Sequence, residues 1–292
     1  KRRIPADAPA VQKLRFLKVE PKTVNLMVMA ATAASAPLYV FFGWLSDKVG
    51  RKWVLWGGMT LALVAFFPGF HMMAKYANPA LAEAEARTPV VVIADPATCS
   101  LQFDPVGKAQ FVTSCDIAKS ALANAGVSYD NHDALPGATA SVSIGGVVIP
   151  SVEGSGLDKA GLKTAKADFE SRLKAGLSSA GYPDKADPAR INHFGLFLVL
   201  LVFVVAATAL YGPQASALVE LFPTRVRYTA MSLPYHVGTG WVGGFVPFSA
   251  FAIVAATGNI YAGLWYPFVF TLISVVCTLF LLPETRGRSL GD

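Results

Sequence analysis

The sequence predicts an all-α membrane protein into which a small α+β domain has been inserted. Three observations carry that prediction. Apolar residues make up 53% of the 292 positions and charged residues 15%, against about 25% charged in an ordinary soluble domain. Mean hydropathy is +0.46. Five long apolar runs, at about 23–45, 53–74, 194–219, 229–256 and 261–282, each hold enough residues for a helix to cross a hydrocarbon core about 30 Å thick. None carries Asp, Glu, Lys or Arg in its centre, and soluble core helices seldom repeat such length without a charged face.

The chain divides accordingly. Residues 1–22 form a basic arm, with Lys1, Arg2, Arg3, Lys13, Arg15, Lys18 and Lys22 against Asp7 and Glu20. Residues 23–76 hold the first two spans. Residues 77–192 change character, with 10 basic and 13 acidic side chains and a net charge of −3. A segment this long is no ordinary loop and reads as a domain of its own. Its β-branched runs at 89–94 and 140–149, the second split by Gly145 and Gly146, predict strands. Residues 114–125 and 159–180 have helical spacing, and Gly181-Tyr182-Pro183 stops the second helix. Residues 193–284 hold the last three spans and 285–292 a tail.

The net charge of +6 gathers at span ends, where membrane orientation uses it, so nucleic acid is not an expected partner; the lipid bilayer is. Lys48, Arg51 and Lys52 follow the first span, Arg225 and Arg227 precede the fourth, and Arg286 and Arg288 lie in the tail. With five spans these fall on one side, the cytoplasm, and the insert and the Thr257–Ile260 turn fall outside. The basic arm contradicts that count, and a missing span between it and the first run repairs it; the chain therefore reads as truncated or internally deleted. Outside the cell, Cys99 and Cys115 of the insert can form a disulfide; Cys277, in the last span, reads as packing.

The sharpest motif runs from Gly43 to Lys52, GWLSDKVGRK. Gly43 allows close helix approach, Gly50 a tight turn, and Asp47 a cap or an ion pair. The motif resembles the G-x-L-[SA]-D-x-x-G-R-[KR] loop of the major facilitator superfamily. Glu220 followed by Arg227, and Pro283-Glu284-Thr285-Arg286-Gly287-Arg288, resemble its E-x6-R and P-E-T-x-G-R elements. Residues 227–238 (RYTAMSLPYHVG), 255–261 and 263–267 are similar to the metabolite:proton symporter branch, as is a long external insert. The resemblance implies that the five spans correspond to helices eight to twelve, with an N-terminal transporter half absent. It also implies that Arg51, Glu220, Arg227 and Glu284 form an ion-pair cluster which, with Gly43, Asp47, Gly50 and Lys52, makes a cytoplasmic gate. The implied activity is proton-coupled symport of a small organic solute by alternating access in the bacterial inner membrane, with the insert in the periplasm. The solute would be of dicarboxylate, amino-acid or betaine type, and the proton the coupling ion, with no other cofactor. The alternative is a membrane-anchored sensor whose insert binds a ligand.

Polar residues inside spans are costly and often functional. Asn25 and Tyr39 of the first span, Tyr211 and Gln214 flanking Pro213 of the third, and Tyr235 and His236 of the fourth are the candidates for a solute and proton pathway. For His236 a hydrogen bond to a neighbouring helix is the competing reading. Gly238-Thr239-Gly240-Trp241-Val242-Gly243 spells G-x-G-x-x-G, but no strand precedes it, so nucleotide binding is not expected. Gly240 and Gly244 read instead as a G-x-x-x-G helix-packing face. No nucleophile or metal-ligand motif occurs, so an enzyme is not expected.

Overall fold

A computed structural model describes residues 19–104 and 110–287; the basic arm up to Lys18 and the tail from Arg288 lie outside the described residues. Among the described residues, five helical segments are long and apolar enough to cross a membrane: Lys22–Val49, Arg51–Ala77, His193–Leu221, Arg227–Thr257 and Ala262–Phe280. The chain forms two compact units. One comprises Ala74–Ile191 and Pro247–Gly263, the other Lys22–Met73, Asn192–Val246 and the chain from Leu264 onward.

In the second unit lie α1 (Pro21–Val49) and most of α2 (Arg51–Ala77). Pro37 sits inside α1 and Pro68 inside α2, as membrane helices tolerate where neighbouring groups re-satisfy the backbone. Close contact comes from small residues. A Cβ on Gly58 would meet Ala209 Cβ at 2.9 Å, and one on Gly212 would meet the Gly43 nitrogen at 3.4 Å. The close-approach glycine at the first crossing is thus Gly212, because nothing among the described residues lies within 4 Å of a Cβ built on Gly43. Aromatic rings fill the remaining space, with Phe203 at 5.3 Å from Phe70 and Phe67 at 5.0 Å from Trp265.

The first unit is built on a four-stranded sheet. After α3 (Pro79–Arg87) come β1 (Val90–Ala94), α4 (Ser114–Ala125), β2 (Tyr129–Asp133), β3 (Ser141–Ile144), β4 (Val147–Pro150) and α5 (Lys159–Ser179). The order is β2-β1-β3-β4. β1 pairs parallel with β2 through the α4 crossover and antiparallel with β3, and β3–β4 is a hairpin turning at Gly145 and Gly146, both at positive φ. Val90, Val92, Val142 and Ile144 pack with Leu122 of α4 and Phe169, Leu173 and Leu177 of α5. Burial of these side chains is the main stabilising term. Thr113 caps α4 by accepting from the Asp116 amide, Asp158 caps α5 from the Gly161 amide, and Gly126 ends α4 in the left-handed region at φ 66°. Cys99 and Cys115 are joined in a disulfide.

Two elements of this unit were not expected from the sequence. α3 is an Ala-rich helix of nine residues, started by Asn78 accepting from the Leu81 amide and by Pro79 in its first turn. β2 has a single buried residue, Tyr129, so no alternation announces it. Tyr129 also ties the sheet edge to the segment after the fourth apolar run. Its amide donates to Gly258 O at 2.9 Å and its hydroxyl to Ala255 O at 2.6 Å, and Asn131 Nδ2 donates to Thr257 O at 3.1 Å. These donors serve carbonyls that the end of a helix leaves open. Gly258, at φ 79°, has no room for a Cβ against the Tyr129 carbonyl.

Beyond the insert, α6 (His193–Leu221) starts at the Asn192 cap and contains Pro213. The fourth run is not one uninterrupted α-helix. α7 (Arg227–His236) passes into a π-helical stretch, Val237–Gly243, and then α8 (Gly244–Thr257). The expected glycine packing face is corrected here: nothing lies within 4 Å of a Cβ built on Gly238, Gly240 or Gly244. The glycines coincide with the π-helical winding rather than with a helix contact among the described residues. The last helix is α9 (Trp265–Phe280).

Candidate functional site

The described structure brings Asp47, Gly50, Glu220 and Glu284 together around Arg51, the first residue of α2. Its guanidinium side chain is 14% exposed and meets Glu220, near the end of α6, whose side chain is 16% exposed. Nη2 lies 3.1 Å and Nε 3.3 Å from Glu220 Oε1. Nη1 donates to Ser46 Oγ at 2.7 Å and pairs with Asp47, one helical turn earlier. Asp47 is 57% exposed, so the Arg51–Glu220 contact is the better shielded of the two pairs. Ser46 is fully buried and donates its hydroxyl to Gly43 O at 2.7 Å.

Glu284 enters by a different route from the one expected. Its Oε1 accepts the backbone N–H of Arg51 at 2.9 Å and those of Thr285 and Arg286 at 3.0 Å each. A carboxylate at the first turn of α2 satisfies an open amide and complements the positive end of the helix. The site beneath it is Gly50, at φ 120°, where a Cβ would run into the Glu284 carboxylate. Glycine is required there twice, for the backbone angle and for the space. Glu284 Oε2 is buried without a hydrogen-bond partner among the described residues.

Thr285, only 2% exposed, closes the cluster by donating its hydroxyl to Glu220 Oε2 at 2.5 Å. Three chain segments therefore meet: the α1–α2 turn, the end of α6 and the segment after α9. Sequence reasoning did not single out Ser46 or Thr285 as site residues, although each lies within a quoted motif. Arg227 donates from Nε to Phe222 O at 3.0 Å, which anchors the turn between α6 and α7. Lys52 Nζ sits 5.8 Å from the Trp53 ring centroid.

The candidate pathway residues are not gathered in the same way. Asn25, Tyr39, Tyr211, Tyr235 and His236 are exposed and Gln214 is half-buried. The α1 backbone at Tyr39–Gly43 meets α6 at Gly212, which brings the Tyr39 and Tyr211 neighbourhoods to one helix crossing. His236 contacts the edge of the Tyr235 ring at 5.7 Å; the neighbouring-helix hydrogen bond considered for it is not seen among the described residues.

Residues 178–292 match the family described as "Sugar (and other) transporter". The chain is 33% identical over 95 residues to a glycine betaine/proline/ectoine/pipecolic acid transporter of Dickeya dadantii, covering 32% of this chain and 19% of that protein. It is 32% identical over 99 residues to an ectoine/proline transporter of Corynebacterium glutamicum, 34% of this chain and 20% of that one. The last three spans thus lie in the part of the chain that is similar to this transporter family. A third relative, a facilitated trehalose transporter of Polypedilum vanderplanki, is 33% identical over 94 residues, 32% of this chain and 18% of its own. The chain thus spans about a fifth of the length of these curated relatives. Their names are those of transporters and none is that of an enzyme. No solved structure matches the chain.

Proposed function

We propose that this chain supplies part of a proton-coupled symporter for a small organic metabolite, set in the bacterial inner membrane with residues 77–192 in the periplasm. The observation that carries the reading is the Arg51 cluster, in which one arginine and three carboxylates, Asp47, Glu220 and Glu284, tie the starts and ends of spanning helices together. A tie of this kind holds one side of a carrier shut. Two helical bundles that rock around a midplane site need such a tie in one state and its separation in the other. Each exposed ion pair alone contributes under about 1 kcal/mol. A shared, partly shielded network is of the size that biases a two-state equilibrium without locking it. Short loops with Lys48, Arg51, Lys52, Arg225 and Arg227 support a cytoplasmic position for the cluster.

The names of the bacterial relatives support a solute of betaine or amino-acid type over a dicarboxylate. The proton as coupling ion rests on the resemblance to the metabolite:proton symporter branch. The test is uptake of labelled proline and glycine betaine by cells making the full-length gene product, with and without a protonophore. Accumulation that collapses with the protonophore is the expected result. Uptake indifferent to it would overturn the coupling, and saturable ligand binding with no uptake would favour the sensor reading.

A further inference from the structure

The insert contains an open cleft of about 270 Å³, lined by Ser100, Lys119, Asn131, His132 and Asp133 together with Ala256 near the end of α8. Lys119 stands on α4 and is half-buried, whereas Asp133, at the end of β2, is exposed. The two attract one another, yet no ion pair joins them among the described residues. The other carboxylate near Lys119, Asp116, is already engaged by the amide of Ser100 at 2.8 Å and its hydroxyl at 2.7 Å. The cleft therefore presents an ammonium and a carboxylate that leave space for something between them. Burial holds the Lys119 ammonium below its ordinary lysine value.

We propose that this cleft is a binding site for a small zwitterion, whose carboxylate meets Lys119 and whose cationic group meets Asp133. A simple anion would face Asp133 and the nearby Asp116 unfavourably, and a simple cation would face Lys119; a ligand carrying both charges offers a partner to each wall. The cleft is firmly placed against the end of α8, because Asn131 on its wall donates to Thr257 O and Tyr129 beside it to Ala255 O. A role for it in collecting solute outside the membrane rests on the carrier reading; the binding itself does not.

The test reads Lys119 directly. The full-length gene product in detergent is acetylated with a limiting amount of acetic anhydride, digested, and the Lys119 peptide is compared by mass spectrometry with those of Lys163 and Lys185, on the exposed face of α5 and in the loop after it. Glycine betaine and proline are each expected to slow acetylation of Lys119 severalfold and to leave the two control lysines unchanged. Sodium acetate and tetramethylammonium chloride are expected to protect far less. In Asp133→Asn, an exposed change, protection at a given glycine betaine concentration should fall about tenfold, the scale of one lost charge-assisted contact. Equal acetylation with and without either zwitterion overturns the proposal, as does protection by acetate as strong as by glycine betaine, which would make the cleft a plain anion site. Because the readout is chemical protection, loss of transport with protection intact counts against the carrier reading alone.

Discussion

Gly50 shows how much one residue carries. Its φ of 120° and the Glu284 carboxylate lying over it leave no room for a side chain. Gly50→Ala should lower the thermal midpoint in detergent, since a non-glycine residue in this backbone region costs about 1–3 kcal/mol before the carboxylate is displaced. An unchanged midpoint would mean that Glu284 does not hold the start of α2. Thr285→Val removes the hydroxyl bonded to Glu220 Oε2 but leaves the Arg51 pair in place. Uptake should therefore fall by less than in Arg51→Ala, and an effect as large as that of Arg51→Ala would make Thr285 the principal tie. Asp47→Asn is expected to abolish uptake with expression intact, and wild-type uptake in that variant would refute its part in the gate. Gly50, Asp47, Arg51, Glu220 and Glu284 were legible because the loop and tail motifs name them. The manner of Glu284's contact was not legible: a carboxylate serving backbone amides and one serving a guanidinium look the same in one dimension. Ser46 and Thr285 were hidden for a related reason, since a small hydroxyl beside a charged motif gives no sign of whether it is buried.

At the scale of elements, what the sequence exposed is what repeats or stops abruptly. The Val-rich β1, the Gly145-Gly146 hairpin and the capped helices α4 and α5 each carry such a mark. β2 (YDNHD) does not, because an edge strand with one buried side chain shows no period of two. α3 escaped because Ala and Glu alternate without an apolar stripe, and the π-helical stretch because its glycines spell a packing motif equally well. The Tyr129 tie can be tested by Tyr129→Phe, which leaves Ala255 O without its hydroxyl donor. Amide exchange in the 255–262 segment should quicken, and no change there would show that Asn131 and the Tyr129 amide suffice. Replacing Cys99 and Cys115 by Ser should lower the stability of the insert by roughly 3 kcal/mol, the loop-closure expectation for a separation of 16 residues. Gly240→Ala should leave yield and monodispersity of this chain unchanged, because no neighbour among the described residues stands where its Cβ would be.

Across the whole molecule, five apolar spans and the sign of their flanking loops fix the expected orientation. A membrane-impermeant amine reagent applied to spheroplasts should modify Lys163 and Lys185 of the insert and spare Lys48 and Lys52; the reverse pattern would invert the topology. The carrier reading makes a further demand, that the Arg51 cluster control a step of transport rather than merely hold the fold. It is met or refused most directly by uptake of labelled glycine betaine and proline into membrane vesicles carrying the full-length gene product, energised by an imposed proton gradient. Uphill accumulation is expected in the wild type, with its collapse on adding a protonophore and its loss in Arg51→Ala at undiminished protein level. Accumulation that survives both the protonophore and Arg51→Ala would rule out proton-coupled transport controlled by the Arg51 cluster.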